Sequence, residues 1–383
     1  MILSKYKNST FIIPFIFSLF LFVIFFREPT QYMENQYYIN YEIEFIKRGF
    51  LGHIFFLVDY NVFFLKFIFF GVFILINYLI CSQKFILDND ILNNFKEILL
   101  KIFFISTPAI TAFYKWSFIL DIYVFVTALI LTLSIIKYKL WISTFLIIFL
   151  SVIGILIHEI FASYYFLLLL SIFTHRFRNT IFIIPLSFSI FSIFITMFYL
   201  LVLKYGSVEF ENIKIIENSL PNKDIDFINF MSSSIISDFK IFFSYDQNIK
   251  IVINLLFILP SIYCFYLIIT DLNNSKSESE KKYIFLILFF CLGPVGNIFV
   301  ALDHSRFIFA ILNNLVLANI YFLKVKLIKI NSIKNNILVI IFLAIILNLL
   351  IGPSDTGNPP VNYYKFIQIK DFLFKDYLHI YLL

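Results

Sequence analysis

Long apolar runs, separated by short polar segments, recur from one end of this chain to the other. An α-helix needs about 20 residues to cross the hydrocarbon core of a bilayer, and most of these runs approach that length. The pattern therefore predicts about eleven transmembrane helices, within a range of ten to twelve. Their predicted bounds are roughly 10–26, 63–82, 98–114, 121–136, 140–157, 161–174, 180–203, 251–270, 283–302, 307–323 and 337–351.

The composition agrees with this pattern and excludes a soluble cytosolic enzyme. Hydrophobic residues make up 61% of the 383 residues and charged residues 14%, against about 25% charged residues in soluble domains. We therefore expect an all-α polytopic integral membrane protein whose residues 1–383 form a single membrane domain. The net charge of +6 is spread without a basic block, so no nucleic acid is expected as a partner.

The distribution of Lys and Arg predicts which side of the membrane each segment faces. With a cytoplasmic N-terminus, the short cytoplasmic segments hold more of these residues than the short outer segments, as the positive-inside rule requires. The three longest non-membrane pieces then lie outside: loops at about 27–62 and 204–250, and a tail at about 352–383. Apolar residues at helical spacing in the 204–250 loop and the tail predict amphipathic helices at the outer face.

Ionisable residues collect at span ends on this outer side. Such residues are costly beside a bilayer core unless they are paired or hydrated, so their collection on one side indicates a functional site. The candidate catalytic groups are Glu44, Asp121, His158, Glu159 and Asp303. The candidate groups for binding an anionic ligand are Lys47, Arg48, His304 and Arg306.

The first candidate cluster lies in the outer loop that follows the first span. Lys47 and Arg48 precede Gly49 and Gly52, and cations beside glycines let backbone N–H groups and a guanidinium approach a phosphate. Alternatively, the two cations anchor an interfacial helix to lipid headgroups. Glu44 is either a general base or a solvated partner of these cations at helical spacing.

The second candidate cluster combines Asp121 with the adjacent pair His158 and Glu159. Asp121 opens a strongly apolar span, where a carboxylate either faces a site or simply complements the helix dipole. His158 and Glu159 interrupt an apolar stretch. Adjacent residues on a helix point about 100° apart, so both can face one cavity only if the helix breaks there.

The third candidate cluster is Asp303, His304 and Arg306. Asp303 and Arg306 share a helical face at spacing i, i+3. They form either a self-neutralising pair or a site in which Arg306 holds an anion while Asp303 orients that anion or a hydroxyl nucleophile.

Motifs for metals and cofactors are missing from the sequence. No second histidine completes a zinc-protease motif after His158, and the three cysteines show no metal-ligand or disulfide spacing. No nucleotide-binding fingerprint is present either. We therefore expect neither a metal nor a cofactor.

Four motifs together resemble those of bacterial O-antigen and capsule repeat-unit polymerases of the Wzy type. They are KRGFLG after the first span, TPAITAFYKWSFILD ahead of Asp121, the intramembrane HE and the late DHSR. The resemblance implies polymerisation of undecaprenyl-pyrophosphate-linked oligosaccharides at the periplasmic face of the inner membrane, in lipopolysaccharide or capsule biosynthesis. It also implies membrane lipid and a polysaccharide chain-length regulator as partners. Unlike polymerases with arginine motifs in two large loops, this chain has no Arg in its 204–250 loop.

The chemistry of that reaction suits these residue types. A carboxylate or histidine can accept the proton of the attacking sugar hydroxyl, and Arg or Lys can stabilise the leaving pyrophosphate. The acidic residues after the first span also resemble those of glycosyltransferases of the GT-C type, which use polyprenyl-phosphate sugars. A lipid-linked oligosaccharide flippase, an integral acyltransferase and a non-catalytic scaffold or channel are further alternatives.

Overall fold

The computed structural model of the protein is built from helices. It describes residues 2–26, 34–38, 41, 49–57, 62–85, 90–115, 119–204, 245–270, 277–299 and 304–353, and no β-strand occurs among them. The α-helices are α1 (Ile2–Phe25), α2 (Gly49–Leu57), α3 (Val62–Cys81), α4 (Ile91–Ser106), α5 (Pro108–Lys115), α6 (Asp121–Lys137), α7 (Leu140–Ile157), α8 (Leu167–Arg176), α9 (Ile183–Phe198), α10 (Tyr245–Thr270), α11 (Glu278–Phe290), α12 (His304–Lys324) and α13 (Asn335–Ile351).

Shorter helical pieces of other types extend or join these helices. A π-helical turn, Ala162–Phe166, precedes α8, and a second one, Tyr199–Lys204, continues α9. Two 3₁₀-helices, Gly293–Phe299 and Ile330–Ser332, flank α12 in the chain.

Several of these helices are suited to a membrane, as the sequence predicts. Within the described residues, four are long and apolar enough to cross a bilayer, and a fifth is counted if the bent pair α4 and α5 forms one span. The protein is therefore a helical multi-pass membrane protein. Each of the eleven predicted segments overlaps a helix, but the count of eleven spans stays a prediction because several of those helices are shorter than a full crossing.

Two predicted spans are broken rather than continuous. The segment predicted at 98–114 bends by 54° between α4 and α5, where Thr107 adopts an extended conformation before Pro108. Proline disfavours a helical conformation in the residue before it and lacks an N–H for the helical ladder. The segment predicted at 283–302 ends its α-helix at Phe290 and continues as a 3₁₀-helix from Gly293.

Buried lysines identify the helix ends that lie together. The Nζ atom of Lys101 donates to the carbonyl oxygens of Thr10 in α1, at 3.0 Å, and of Cys81 at the end of α3, at 2.8 Å. Lys96 Nζ donates to the carbonyl oxygen of Ile333, just before α13, at 2.7 Å. These parts of α1, α3 and α4 and the start of α13 therefore lie together toward one end of the bundle, which we call the lysine end.

Helix α12 crosses the bundle: it ends at the lysine end and begins at the other end. The Nζ atom of Lys324, its last residue, donates to the carbonyl oxygen of Lys84 at 3.4 Å, and Tyr321 pairs with His175 near the end of α8. At about 1.5 Å per residue, a helix of this length spans about 30 Å. Arg306, in the first turn of α12, therefore lies at the end opposite the lysines.

The described cations are distributed unevenly between the two ends. The opposite end has four: Lys66, Lys115, Lys204 and Arg306. The lysine end has many more, among them Lys84, Lys96, Lys101, Lys137, Lys139, Arg176, Arg178, Lys281, Lys282, Lys324 and Lys326. This asymmetry is the one that the positive-inside rule associates with a cytoplasmic lysine end.

Helix α12 is the central helix of the bundle. Between Arg306 and Lys324, 94% of its most apolar window is buried, although it contains three buried asparagines. Asn314 Nδ2 donates to the carbonyl oxygens of Tyr164, at 2.8 Å, and Cys291, at 3.2 Å. Because these bonds reach two other elements, Asn314 connects the buried helical segments at the centre of the bundle. A lipid-facing position would offer its amide group no such partners.

Candidate functional site

Asp121 is the first residue of α6, as the sequence predicts, and its side chain is buried. A carboxylate in the first helical turn is favourable because it faces the positive end of the helix dipole. The helix dipole alone does not require burial, however. The residues around Asp121 therefore show whether it only stabilises the start of the helix or belongs to a functional site.

His158 and Glu159 form the tight connection between α7 and the helical segment that follows. The backbone of His158 is extended, with φ −162° and ψ 128°, and its carbonyl oxygen accepts from the N–H of Phe161 at 3.0 Å. The helix is thus broken at this pair, which is the condition under which both side chains can face one place. A Cβ atom on Gly154 would lie 2.5 Å from the ring of Phe161, so glycine permits the close return of the chain.

The guanidinium group of Arg306 lies beside Asp121. Its Nε atom lies 3.5 Å from Oδ2 of Asp121. The sequence predicts a pair between Arg306 and Asp303 on the same helix, or a bound anion. Asp303 lies outside the described residues, so the predicted pair stays a prediction. Among the described residues, the carboxylate beside Arg306 is that of Asp121, from α6.

Asp121, His158, Glu159 and Arg306 together form what we call the Asp121 cluster. The Nε2 atom of His158 lies 3.7 Å from Oδ1 of Asp121, and its Nδ1 atom lies 3.2 Å from Oε2 of Glu159. Four predicted site residues from three separate stretches of the sequence therefore meet at one end of the bundle.

The hydrogen bonds of His158 indicate the proton position in its neutral form. The backbone N–H of Ile160 donates to Nδ1 at 3.2 Å, so Nδ1 acts as an acceptor and Nε2 carries the hydrogen. That hydrogen faces Asp121. A second proton on Nδ1 would face Glu159, because that carboxylate lies on the same side of the ring.

Exposure divides the Asp121 cluster into an inner and an outer pair. The side chains of His158 and Asp121 are 3% and 8% exposed, whereas those of Glu159 and Arg306 are 20% and 21% exposed. Glu159 and Arg306 are thus accessible to a molecule outside the bundle. His158 and Asp121 form the layer behind them.

Among the described residues, no group of three or more His, Cys, Asp or Glu side chains is arranged to hold a metal ion. Cys81, Cys264 and Cys291 are buried free thiols at separate places. A neutral histidine between two carboxylates, with an arginine beside them, is suited to moving a proton and holding an anion.

Two polar residues behind the cluster are not among the candidates predicted from the sequence. Tyr165, in the π-helical turn, and Asn313, in α12, are both buried. The three asparagines within one predicted span are the signal that could have indicated Asn313. Nothing in the sequence indicates the π-helical turn.

The remaining predicted site residues are not placed at the cluster. Glu44, Lys47, Arg48 and Asp303 lie outside the described residues, as do the predicted amphipathic helices of the 204–250 loop and of the tail. His304 begins α12, but its side chain also lies outside what the structure describes. Their predicted roles stay predictions.

A second buried histidine lies at the lysine end and provides a contrast. The Nδ1 atom of His175 lies 2.5 Å from the hydroxyl oxygen of Tyr321. Arg178, beside this histidine, donates to Oε1 of Glu280 at 2.7 Å. This network connects α8, α11 and α12 through two side-chain contacts at hydrogen-bond distance. It has the features of a structural contact between helices.

Comparison with protein-family models, with curated proteins and with solved structures finds no match to this chain. The class of the protein therefore rests on its apolar helices, and the Asp121 cluster is the feature that bears on its function.

Proposed function

We propose that this protein polymerises undecaprenyl-pyrophosphate-linked oligosaccharide repeat units at the outer face of the bacterial inner membrane. The observation that carries the proposal is the meeting of Asp121, His158, Glu159 and Arg306 at the bundle end opposite the lysines. The excess of cations at the other end supports an outward orientation of this cluster. The resemblance of the short motifs to polysaccharide polymerases supplies the substrate class.

The proposed reaction transfers a glycosyl group between two lipid-linked molecules. A hydroxyl of the acceptor sugar attacks the anomeric carbon of the donor, and a new glycosidic C–O bond forms. The C–O bond between that carbon and the pyrophosphate breaks, so the lipid pyrophosphate leaves with the bonding electrons. The donor is already activated, and the reaction needs no nucleotide.

The proposed roles follow the exposure of the cluster. Glu159 is accessible and accepts the proton of the acceptor hydroxyl as a general base. His158 lies 3.2 Å away and can take that proton onward, with Asp121 balancing the charge of the imidazolium. Arg306 is also accessible and binds the leaving phosphate, for which the bidentate guanidinium is well suited. Glu44, Asp303, Lys47, Arg48 and His304 remain further candidates for these roles.

A glycosyltransferase of the GT-C type is the second candidate. Arg306 is the cation that the described contacts place in the cluster, and a single arginine matches one phosphate better than a pyrophosphate. A donor with a single phosphate, such as a polyprenyl-phosphate sugar, would therefore fit the described part of the site. A GT-C glycosyltransferase would add single sugars and would not join repeat units into a polymer.

A lipid-linked oligosaccharide flippase is the third candidate. Transporters bind their cargo near the bilayer midplane, between related halves of the chain. The Asp121 cluster lies at one end of a helix about 30 Å long, so its position favours chemistry at a membrane surface over transport.

Reconstitution tests the proposal directly. The purified protein is placed in liposomes with an undecaprenyl-pyrophosphate-linked repeat unit and no other sugar donor, and lipid-linked products are separated on a gel. We expect a ladder of multiples of the repeat unit. Single-sugar addition after supply of a polyprenyl-phosphate sugar would favour the GT-C candidate. Absence of product with both donors would overturn both enzymatic proposals.

A further inference from the structure

The π-helical turn Ala162–Phe166 is joined to the break at His158 and Glu159 by backbone hydrogen bonds. The N–H of Phe161 donates to the carbonyl oxygen of His158 at 3.0 Å. The N–H of Ala162, the first residue of the turn, donates to the carbonyl oxygen of Glu159 at 3.1 Å. The position of the turn in the bundle therefore sets the position of His158 and Glu159.

Tyr164, in the middle of this turn, packs along α12. Its ring meets the ring of Phe307 edge to face, with the centroids 5.9 Å apart. Its carbonyl oxygen accepts a hydrogen bond from Nδ2 of Asn314 at 2.8 Å. Phe307 and Asn314 share a face of α12, because residues seven apart in a helix lie two turns apart on the same side. Two contacts on one face therefore hold the turn against α12.

Asn314 also binds the end of α11. Its Nδ2 atom donates to the carbonyl oxygen of Cys291 at 3.2 Å, directly after the last residue of that helix, where carbonyl groups lack partners within the helix. Two residues further on, a Cβ atom at Gly293 would lie 2.4 Å from the carbonyl oxygen of Ser163 in the π-helical turn. One amide group thus joins α12, the π-helical turn and the end of α11.

The helix that carries Asn314 also carries Arg306. The two residues are eight positions apart, which is about 12 Å along a helix axis. The Cζ atom of Arg306 lies 5.4 Å from the centroid of the Phe307 ring, the ring that packs against the π-helical turn. Attachment of the turn to α12 therefore fixes His158 and Glu159 relative to Arg306.

We propose that Asn314 is a positioning residue for the Asp121 cluster. Its amide attaches the π-helical turn to α12, and the turn holds Glu159 and His158 at the distance from Arg306 that glycosyl transfer requires. Asn314 is fully buried, so it acts through these residues and not on the substrate. The consequence for activity rests on the proposed function, whereas the positioning itself can be measured without any activity.

Asn319 provides a matched control on the same helix. Like Asn314, it is fully buried, and its Oδ1 atom accepts no hydrogen bond from the described residues. Its Nδ2 atom donates to the carbonyl oxygen of Leu315 at 2.8 Å, within α12 itself. Replacement of either asparagine by leucine removes the same polar groups, but the contact with the π-helical turn is lost at Asn314 alone.

Nitrogen NMR of the histidine rings tests the positioning. The chain has five histidines, and the ring signals of His158 are identified as those lost in His158→Gln. They report the surroundings of Nδ1, which accepts from the N–H of Ile160 at 3.2 Å and lies 3.2 Å from Oε2 of Glu159. We expect these signals to shift in Asn314→Leu and to stay unshifted in Asn319→Leu.

Three results of this experiment would overturn the proposal. The first is an unshifted His158 signal in folded Asn314→Leu. The second is an equal shift in Asn319→Leu, which would mean a general loss of packing in α12. Should Asn314→Leu fail to fold, Asn314→Ala removes the same donor without adding volume and must shift the signal, and an unshifted signal there is the third.

A double-mutant cycle tests the consequence for activity. We expect Asn314→Leu to lower kcat for ladder formation by about 10², the cost of displacing a catalytic group by about 1 Å. In a Glu159→Gln background the same change is expected to have no further effect, because Asn314 acts through the proton acceptor. Equal losses in both backgrounds would mean a merely structural role and overturn the proposal. If the wild-type protein forms no polymer, the proposed function fails while the NMR result still decides the role of Asn314.

Discussion

His158 Nε2 lies 3.7 Å from Oδ1 of Asp121, although the two residues stand at opposite termini of consecutive antiparallel helices. Asp121 begins α6, His158 ends α7, and the turn between these helices lies at the other end of the bundle. The pair is thus produced by helix packing. Arg306, from the start of α12, completes the arrangement on the second carboxylate oxygen.

His158 and His175 provide a matched pair of buried histidines at the two ends of the bundle. We expect His158→Gln to lower the rate of polymer formation by about 10² to 10⁴, the usual contribution of a general acid–base group, with the protein still folded. His175→Gln breaks a helix contact and is expected to lower thermal stability instead. The measurements are the ladder rate per folded molecule and the apparent melting temperature. Equal ladder rates in His158→Gln and wild type would contradict the proton-transfer role.

Two glycines of one 3₁₀-helix test the packing of the π-helical turn. A Cβ atom at Gly293 would lie 2.4 Å from a backbone oxygen, whereas at Gly296 it would meet nothing within 4 Å. Gly293→Ala is therefore expected to destabilise the protein by about 1–3 kcal/mol, the cost of overpacking. Gly296→Ala should leave stability unchanged. Thermal unfolding in detergent compares the two, and equal melting temperatures would mean that the turn does not pack as described.

Substitution of Lys101 tests the contribution of the buried Lys101–Glu97 ion pair to stability. Its ammonium group is buried and lies 2.6 Å from Oε1 of Glu97, besides the two carbonyl oxygens that it caps. Lys101→Met leaves the Glu97 carboxylate buried without its cation, which typically costs about 3–5 kcal/mol. The double variant Lys101→Met, Glu97→Gln removes the stranded charge and is expected to recover part of that loss. A double variant no more stable than the single one would contradict the ion-pair account.

The sequence predicts much of the cluster but not how it is assembled. The helix start at Asp121 and the gap between the segments predicted at 140–157 and 161–174 follow from polar residues interrupting apolar runs, and the helix bounds agree with both. The contact between Arg306 and Asp121 could not be predicted, because Asp121 comes from a helix distant in the sequence. The predicted pair of Arg306 with Asp303 stays a prediction, since Asp303 lies outside the described residues. Such contacts depend on how helices distant in the sequence pack against each other. The pattern of apolar and polar residues along the chain does not specify that packing.

Similar reasons explain the other differences. The bend before Pro108 interrupts a segment that hydropathy alone describes as one span. The placement of Tyr165 depends on a π-helical turn, and the sequence has no pattern that distinguishes this turn from an α-helix of the same composition. Apolar periodicity predicts the existence of helices well, because each run must be buried in lipid or protein. It carries little information on irregular turns.

Labelling of introduced cysteines tests the orientation of the bundle. Cys81, Cys264 and Cys291 are buried, so their background reaction is expected to be low. Lys204→Cys lies at the end that carries the Asp121 cluster, and Lys139→Cys at the lysine end. We expect a membrane-impermeant maleimide, added to spheroplasts with an intact inner membrane, to label Lys204→Cys alone. Lys139→Cys should react only after permeabilisation, and the reverse pattern would place the cluster in the cytoplasm.

The most direct test of the central claim compares two arginines in the reconstituted ladder assay. Arg306 lies 3.5 Å from the Asp121 carboxylate, whereas Arg176 lies at the lysine end and donates to the carbonyl oxygen of Ile136. Removing one donor that stabilises developing charge costs about 10² to 10³ in rate. We predict a loss of this size in Arg306→Ala, partial activity in Arg306→Lys, and a normal ladder in Arg176→Ala. A normal ladder in Arg306→Ala, at equal reconstituted protein, would contradict the claim that the Asp121 cluster is the site of glycosyl transfer.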